Sequence, residues 1–94
     1  MGESVLMPPT VISSSVSGYT RRDGVLTCDA VSLTEIAERV GTPCYVYSAS
    51  LIRERYTELS SALAHLPVHI HYSVKANSSL AILALLRRLG SGVD

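Results

Sequence analysis

The spacing of apolar residues divides the chain into helix-like and strand-like segments. Apolar side chains recur every three or four positions over residues 33–40, 50–66 and 79–89, which predicts three amphipathic helices. Residues typical of helix caps flank these segments: Ser32 with Glu35 as a capping box at one start, and Gly41 and Gly90 as stop signals. Pro67 ends the middle segment, so each predicted helix has a defined start or end.

The remaining segments have patterns typical of strands. An Asp-Gly turn signal predicts a hairpin over residues 19–28. Aromatic and β-branched residues predict a strand at 44–47, and strict alternation predicts another at 68–75 that ends at a lysine. Residues 92–94 are expected to begin one more. Strands that alternate with helices in this way are typical of a parallel sheet or barrel, so the predicted fold class is α/β.

The predicted elements group into three regions of the chain. Residues 1–18, rich in serine and proline, are expected to be a flexible leader without chemistry. Residues 19–48 form a segment with a hairpin, a short helix and a strand, and residues 49–94 begin a helix–strand repeat. One buried parallel strand cannot satisfy its hydrogen bonds alone. We therefore interpret the 94 residues as an N-terminal fragment of a larger α/β protein.

Composition narrows the function classes. Eight basic and eight acidic residues give a formal net charge of zero, without the basic stripe that a nucleic acid requires. No apolar stretch reaches the roughly 20 residues that cross a bilayer, and no signal peptide is expected, so a cytoplasmic protein is predicted. Cys28 and Cys44 lack the spacing of a zinc or redox motif and are predicted to be reduced, buried, structural thiols.

Lys75 is the chemically distinctive residue, because it is the only lysine in the sequence. Alternation places four polar side chains on one face of the predicted strand: His69, His71, Ser73 and Lys75. In a barrel this face would point inward, with Lys75 at the carboxyl end of its strand, where such barrels place catalytic groups. Partial desolvation there would favour the neutral amine that forms a Schiff base, and the obvious aldehyde is pyridoxal phosphate. A lysine that only solvates the rim of the sheet fits the same pattern.

The histidines raise the question of a metal site. His65, His69 and His71 lie within seven residues, and imidazole is the commonest zinc ligand. No carboxylate or cysteine lies near them in sequence, however, and His65 falls at a helix end. Hydrogen-bonded histidines are therefore favoured, and no metal is predicted.

Three sequence motifs carry a family resemblance. Residues 32–48, 71–77 and 89–94 occur in the right order and spacing to resemble the N-terminal part of the diaminopimelate decarboxylases. These are barrel-type (fold type III) pyridoxal-phosphate enzymes, and the resemblance spans about residues 19 to 94.

The resemblance implies a fold and a set of site residues. It implies the start of a TIM-like (β/α)8 barrel from residue 49, with residues 19–48 contributing to a β-domain of a two-domain protein. Lys75 corresponds to the lysine that carries pyridoxal 5′-phosphate, and Asp94 to an aspartate close to the cofactor. Ser73 stands where the family usually has alanine, so its hydroxyl either touches the cofactor or fills the gap.

The resemblance also implies a reaction and its rivals. The reaction is decarboxylation of meso-diaminopimelate to L-lysine by a cytoplasmic homodimer, with most of the pocket beyond Asp94, so that these 94 residues alone are expected to be inactive. Related barrel decarboxylases act on ornithine, arginine or carboxynorspermidine, and some homologues are non-catalytic and bind a protein partner. A racemase is less favoured, because Ser78-Ser79-Leu80 departs from the alanine racemase motif.

Overall fold

The computed structural model describes residues 18–94, which form two compact units. One unit comprises the described residues up to Ser50, and the other comprises Leu51–Asp94. The predicted leader, apart from Gly18, lies outside the described residues. Helices and strands occur in both units, so the α/β class is confirmed.

The first unit is built on a three-stranded antiparallel sheet. Strands β1 (Tyr19–Arg22) and β2 (Val25–Cys28) form the predicted hairpin, and β3 (Val31–Ser32) pairs with the other side of β2. The two turn residues, Asp23 and Gly24, have φ angles of 52° and 80°. Positive φ at both positions gives the turn whose twist matches the paired strands, which is why Asp-Gly is such a strong hairpin signal.

Helix α1 (Leu33–Val40) has the bounds that its caps predict. The Ser32 hydroxyl accepts a hydrogen bond from the Glu35 backbone N–H at 3.3 Å, which satisfies one of the free donors of the first turn. At the other end Gly41 adopts a φ of 91° and its N–H donates to the Ala37 carbonyl at 2.8 Å. Local cap chemistry therefore determines both ends of this helix.

The prediction of a strand at residues 44–47 is wrong. The segment is not assigned to any strand, and within residues 18–94 no strand pairs with it. Tyr45 is 90% exposed, and its ring stacks on that of Tyr47 with centroids 6.5 Å apart. The Tyr19 hydroxyl donates to the Val46 carbonyl. Side chains with high β-propensity do not make a strand without a neighbouring ladder.

A carboxylate that sequence reasoning missed connects the sheet to the start of helix α2 (Ala49–Ala62). Asp29 accepts hydrogen bonds from the Gly18 N–H and the Ser48 hydroxyl, both at 2.8 Å, and from the hydroxyl and N–H of Ser50. Burial alone would raise the pKa of Asp29, but the hydrogen bonds from Ser50, Ser48 and Gly18 outweigh it and hold that pKa well below its usual range.

Helix α2 ends at Ala62, four residues before the predicted end. Beyond it the Ala64 N–H donates to the Ser61 carbonyl, and the Leu66 N–H donates to the Leu63 carbonyl, so the backbone tightens from α-helical bonds to three-residue turns. Pro67 lies just beyond, and the residue before a proline disfavours helical backbone. The apolar spacing continues to Leu66, but the backbone does not follow it.

The second unit contains a strand–helix–strand repeat. Helix α3 (Leu80–Leu89) buries Leu85 and Leu86 and joins strands β4 (His71–Tyr72) and β5 (Gly92–Val93), which pair in parallel. Gly90 ends the helix in the left-handed conformation with φ 106°, its N–H donating to Arg87 O and the Ser91 N–H to Leu86 O. This Schellman motif confirms the predicted helix-to-strand turn.

The two cysteines differ in their surroundings. Cys28 is buried, and its burial, together with the nearby charge of Asp29, raises the pKa of the thiol. Cys44 is exposed, so the prediction that both thiols are buried is wrong for Cys44, because the segment that carries it joins no sheet. Both are free thiols, as predicted. Between residues 18 and 94, no helix has the length and apolar character needed to cross a membrane.

Candidate active site

Two of the three predicted site residues lie opposite each other on neighbouring strands. The β4–β5 register pairs His71 with Gly92 and Tyr72 with Val93. The backbone bonds continue one residue further, since the Asp94 N–H donates to Tyr72 O at 2.8 Å and its carbonyl accepts from the Val74 N–H at 3.2 Å. A residue bonded to both neighbours of position 73 lies opposite that position in a parallel pair. Ser73 and Asp94 therefore face each other.

Lys75, the third predicted site residue, does not lie at the end of a strand. It is the middle residue of a 3₁₀ turn, Val74–Ala76, and its side chain is exposed rather than partly desolvated. The predicted strand over residues 68–75 is reduced to His71–Tyr72. The strand that pairs with it, β5, begins only at Gly92, because the N–H groups of Gly90 and Ser91 make the hydrogen bonds that end α3. The paired segment is therefore short.

The turn that carries Lys75 is held by residues of its own motif. The Tyr72 hydroxyl donates to the Asn77 carbonyl at 2.8 Å, and the Asn77 side-chain oxygen accepts from the Ser79 N–H at 2.9 Å. Two backbone bonds close the turn, from Ala76 to Ser73 and from Asn77 to Val74, each 3.1 Å. Both residues belong to the sequence motif over residues 71–77, but the hydrogen bond between Tyr72 and Asn77 could not be predicted from the motif.

A histidine and a glycine complete the polar face of the two strands. Gly92 has no side chain, and a Cβ placed there would lie 3.1 Å from Cε1 and from Nε2 of His71. The imidazole therefore lies directly on the Gly92 backbone. Its Nδ1 is 3.3 Å from the Val93 carbonyl oxygen. Strand alternation predicted His71 on this face, but the contact with Gly92 could not be found without the pairing of the strands.

The predicted site residues and their neighbours are polar, and they include one basic and one acidic side chain, Lys75 and Asp94. His71 and Gly92 lie on the paired strands, Ser73 and Asp94 directly follow them, and Lys75 comes next in the turn. In residues 18–94 no group of three histidine, cysteine or acidic side chains is arranged to hold a metal ion. An exposed primary amine is a nucleophile toward aldehydes, so Lys75 can bind a carbonyl compound covalently.

Residues 49–94 match the family described as the pyridoxal binding domain of the pyridoxal-dependent decarboxylases. This segment includes helices α2 and α3, both parallel strands and the Lys75 turn. No solved structure matches the chain at a comparable level of significance.

Curated relatives extend the similarity to the first unit. The diaminopimelate decarboxylase of Pseudomonas aeruginosa is 46% identical over 76 residues, which are 81% of this chain and 18% of that protein. That of Vibrio cholerae is 40% identical over 74 residues (79% and 18%), and that of Aquifex aeolicus 44% over 73 residues (78% and 17%). The chain spans less than a fifth of the length of these three relatives. The resemblance read from the motifs is confirmed, because residues 49–94 match the pyridoxal binding domain of the pyridoxal-dependent decarboxylases and these relatives are diaminopimelate decarboxylases.

Proposed function

We propose that the protein that carries this chain is a pyridoxal-phosphate-dependent decarboxylase that converts meso-diaminopimelate into L-lysine and carbon dioxide. The observation that carries the proposal is the place of Lys75. The only lysine of the sequence is exposed, in a turn held by its own motif, inside the segment that matches a pyridoxal binding domain. The relatives named diaminopimelate decarboxylase support this substrate over ornithine, arginine or carboxynorspermidine.

The residues present fit pyridoxal phosphate. Lys75 is the only side chain of the sequence with a primary amine, and arginine cannot replace it as a nucleophile. Ser73 and Asp94, opposite each other immediately after the paired strands, offer a hydroxyl and a carboxylate at the carboxyl ends of those strands. We propose that Lys75 holds the cofactor covalently and that Ser73 and Asp94 contact it.

The proposed reaction breaks one carbon–carbon bond. The carboxylate on the D-configured carbon leaves as carbon dioxide, and a proton takes its place on that carbon. Bound pyridoxal phosphate supplies an acceptor for the electron pair left behind. Lys75 would hold the cofactor through its side-chain amine, and would exchange that bond with the amine of the arriving substrate and again with that of the departing product. The 3₁₀ turn keeps the Lys75 side chain accessible for both exchanges.

The proposal includes an architecture for the whole protein. We propose that residues 49–94 begin a TIM-like (β/α)8 barrel and that residues 19–48 contribute to a β-domain. The parallel β4–α3–β5 repeat supports the barrel, since such repeats are its building unit. We propose further that the protein acts as a cytoplasmic homodimer on a small amino-acid substrate, without nucleic acid or membrane as partners.

The cofactor bond is tested first. The complete protein that carries this chain is incubated with pyridoxal phosphate, reduced with borohydride, digested and analysed by peptide mass spectrometry. A Schiff-base absorbance band and a reduced adduct on Lys75 are expected. The Lys75→Arg variant keeps the positive charge and should show neither. A folded protein without the adduct would refute the enzyme proposal and favour a non-catalytic homologue that binds a partner.

The substrate is tested separately. Release of carbon dioxide is measured with meso-diaminopimelate, ornithine, arginine and carboxynorspermidine as competing substrates. Diaminopimelate should give the largest kcat/KM. A larger kcat/KM for ornithine, arginine or carboxynorspermidine would leave the cofactor proposal intact and refute diaminopimelate as the substrate.

A further inference from the structure

We propose that His71 is a positioning residue for the cofactor site, and this inference rests on the proposed function. By donating from Nδ1 to the Val93 carbonyl across the bare backbone of Gly92, it fixes the segment that places Asp94 beside the strand leading to Lys75. Three observations carry the proposal: the direction of the Val93 carbonyl, the contact of the ring with Gly92, and the chemistry of the hydrogen bond.

The Val93 carbonyl faces away from β4. The Gly92 N–H donates to Ile70 O and the Asp94 N–H donates to Tyr72 O, so both residues direct their backbone groups toward β4. Successive residues of a strand direct these groups to opposite edges. The Val93 carbonyl therefore lies on the far edge of β5, where the β4 backbone cannot reach it.

The His71 ring reaches that carbonyl by crossing over Gly92. Cε1, Nε2 and Nδ1 of the ring lie 3.1, 3.1 and 3.2 Å from the position that a Cβ of residue 92 would occupy. A Cβ at position 92 would be tighter against the ring than ordinary van der Waals contact, so the ring would have to shift. Glycine at position 92 therefore leaves room for the imidazole ring, and the same ring position brings Nδ1 to the Val93 carbonyl.

The bond has only one possible direction. A carbonyl oxygen only accepts, so a hydrogen bond at the observed 3.3 Å requires the tautomer that carries its proton on Nδ1. In the neutral ring Nε2 is then the unprotonated nitrogen. Together with the backbone bonds of Asp94, this contact holds β5 to β4 from both edges, at the residue immediately before Asp94.

The first test needs no cofactor. On the neutral ring, ¹⁵N NMR should show His71 with its proton on Nδ1, and hydrogen exchange should show the Asp94 amide protected. His71→Asn keeps a donor at the δ position, whereas His71→Gln moves it one atom further. Exchange of the Asp94 amide should rise about fivefold in His71→Gln and in Gly92→Ala, within the range that one neutral hydrogen bond supplies, and less than twofold in His71→Asn.

The second test measures cofactor affinity in the same variants. The apparent dissociation constant for pyridoxal phosphate, read from the Schiff-base band, should rise about fivefold in His71→Gln and be restored in His71→Asn. His69→Gln, at an exposed position on the same segment, is the matched control and should change neither measurement.

Each outcome decides the proposal. A proton on Nε2, or equal exchange in the Asn and Gln variants, would overturn the hydrogen bond itself. A bond that is present but leaves the dissociation constant unchanged in every variant would overturn the positioning role. Hydrogen exchange of the Asp94 amide that follows the expected pattern, in a protein that forms no adduct on Lys75, would refute the proposed function and the positioning role with it.

Discussion

Replacing Asp29 by asparagine should destabilise the first unit at neutral pH. The carboxylate accepts from Gly18, Ser48 and Ser50 at the first turn of α2, and charge-assisted bonds of this kind are the stronger class. Asparagine keeps one acceptor oxygen but places an amide N–H against donors, and it loses the favourable charge at a helix N-terminus. Asp29 has a φ of 51°, which asparagine tolerates, so backbone strain does not confound the change.

The magnitude follows from the bonds that are lost. One charge-assisted hydrogen bond contributes about 2 kcal/mol, and the helix-terminus charge adds about 0.5 kcal/mol. A loss of about 2.5 kcal/mol in the free energy of unfolding should lower Tm by roughly 15 °C for a chain of this size.

The low pKa of Asp29 gives the loss a characteristic pH dependence. A carboxyl whose pKa is depressed on folding stabilises the fold above its unfolded value, near 3.9, and loses that contribution as the pH falls through the folded value. Between about pH 5 and pH 3 the unfolded carboxyl becomes mostly protonated while the folded one stays charged. The unmodified protein therefore loses about 1 kcal/mol of its free energy of unfolding over this pH range, whereas Asp29→Asn does not.

Thermal and urea unfolding at both pH values check this reasoning. The difference in unfolding free energy between the two proteins should narrow by about 1 kcal/mol at the lower pH. Asp23→Asn is the matched control, because Asp23 also has positive φ but lies in the exposed hairpin turn. A difference that stays constant with pH would show that the Asp29 carboxylate does not carry the stabilising charge.

Two further predictions concern the second unit. Gly90→Ala should cost about 1–2 kcal/mol in unfolding free energy, from the left-handed backbone alone, because an added Cβ would meet only the Tyr56 hydroxyl at an ordinary 3.7 Å. Gly90→Asn should cost less in the same urea titration, and an equal cost would contradict a conformational origin. Tyr72→Phe removes the donor to Asn77, so exchange of the Asn77 amide should rise about fivefold. Tyr45→Phe, at a 90% exposed position, should leave it unchanged, and equal effects of the two variants would contradict the role of the Tyr72 hydroxyl.

The elements that local chemistry determines could be predicted from sequence. The hairpin follows from Asp23-Gly24, because both residues adopt positive φ at little cost. Helix α1 follows from Ser32 at its start and Gly41 at its end, and its bounds agree to the residue. Each of these signals acts within a few residues of the chain. No distant contact is needed for them to take effect.

Features that depend on residues far away in the sequence could not be predicted in the same way. Residues 44–47 have strand-like side chains but no ladder among the described residues, and the long alternating run before Lys75 pairs only at His71–Tyr72. Asp29 showed no signal at all, because its four donors come from Gly18, Ser48 and Ser50. Alternation identifies the faces of a strand, but pairing decides how much of it forms.

The interval between the lysine and aspartate motifs has a physical basis in helix α3. The residue before Lys75 donates its N–H to the Asp94 carbonyl, so two motifs nineteen positions apart are joined by a backbone bond. Ten helical residues carry the chain about 15 Å away from β4, and the left-handed Gly90 turns it back toward β5. One residue inserted in α3 would rotate Gly90 by about 100° and move Asp94 away from Ser73. The motif spacing is therefore a requirement of the βαβ geometry, and the backbone bond between Val74 and Asp94 forms only while that helix keeps its length.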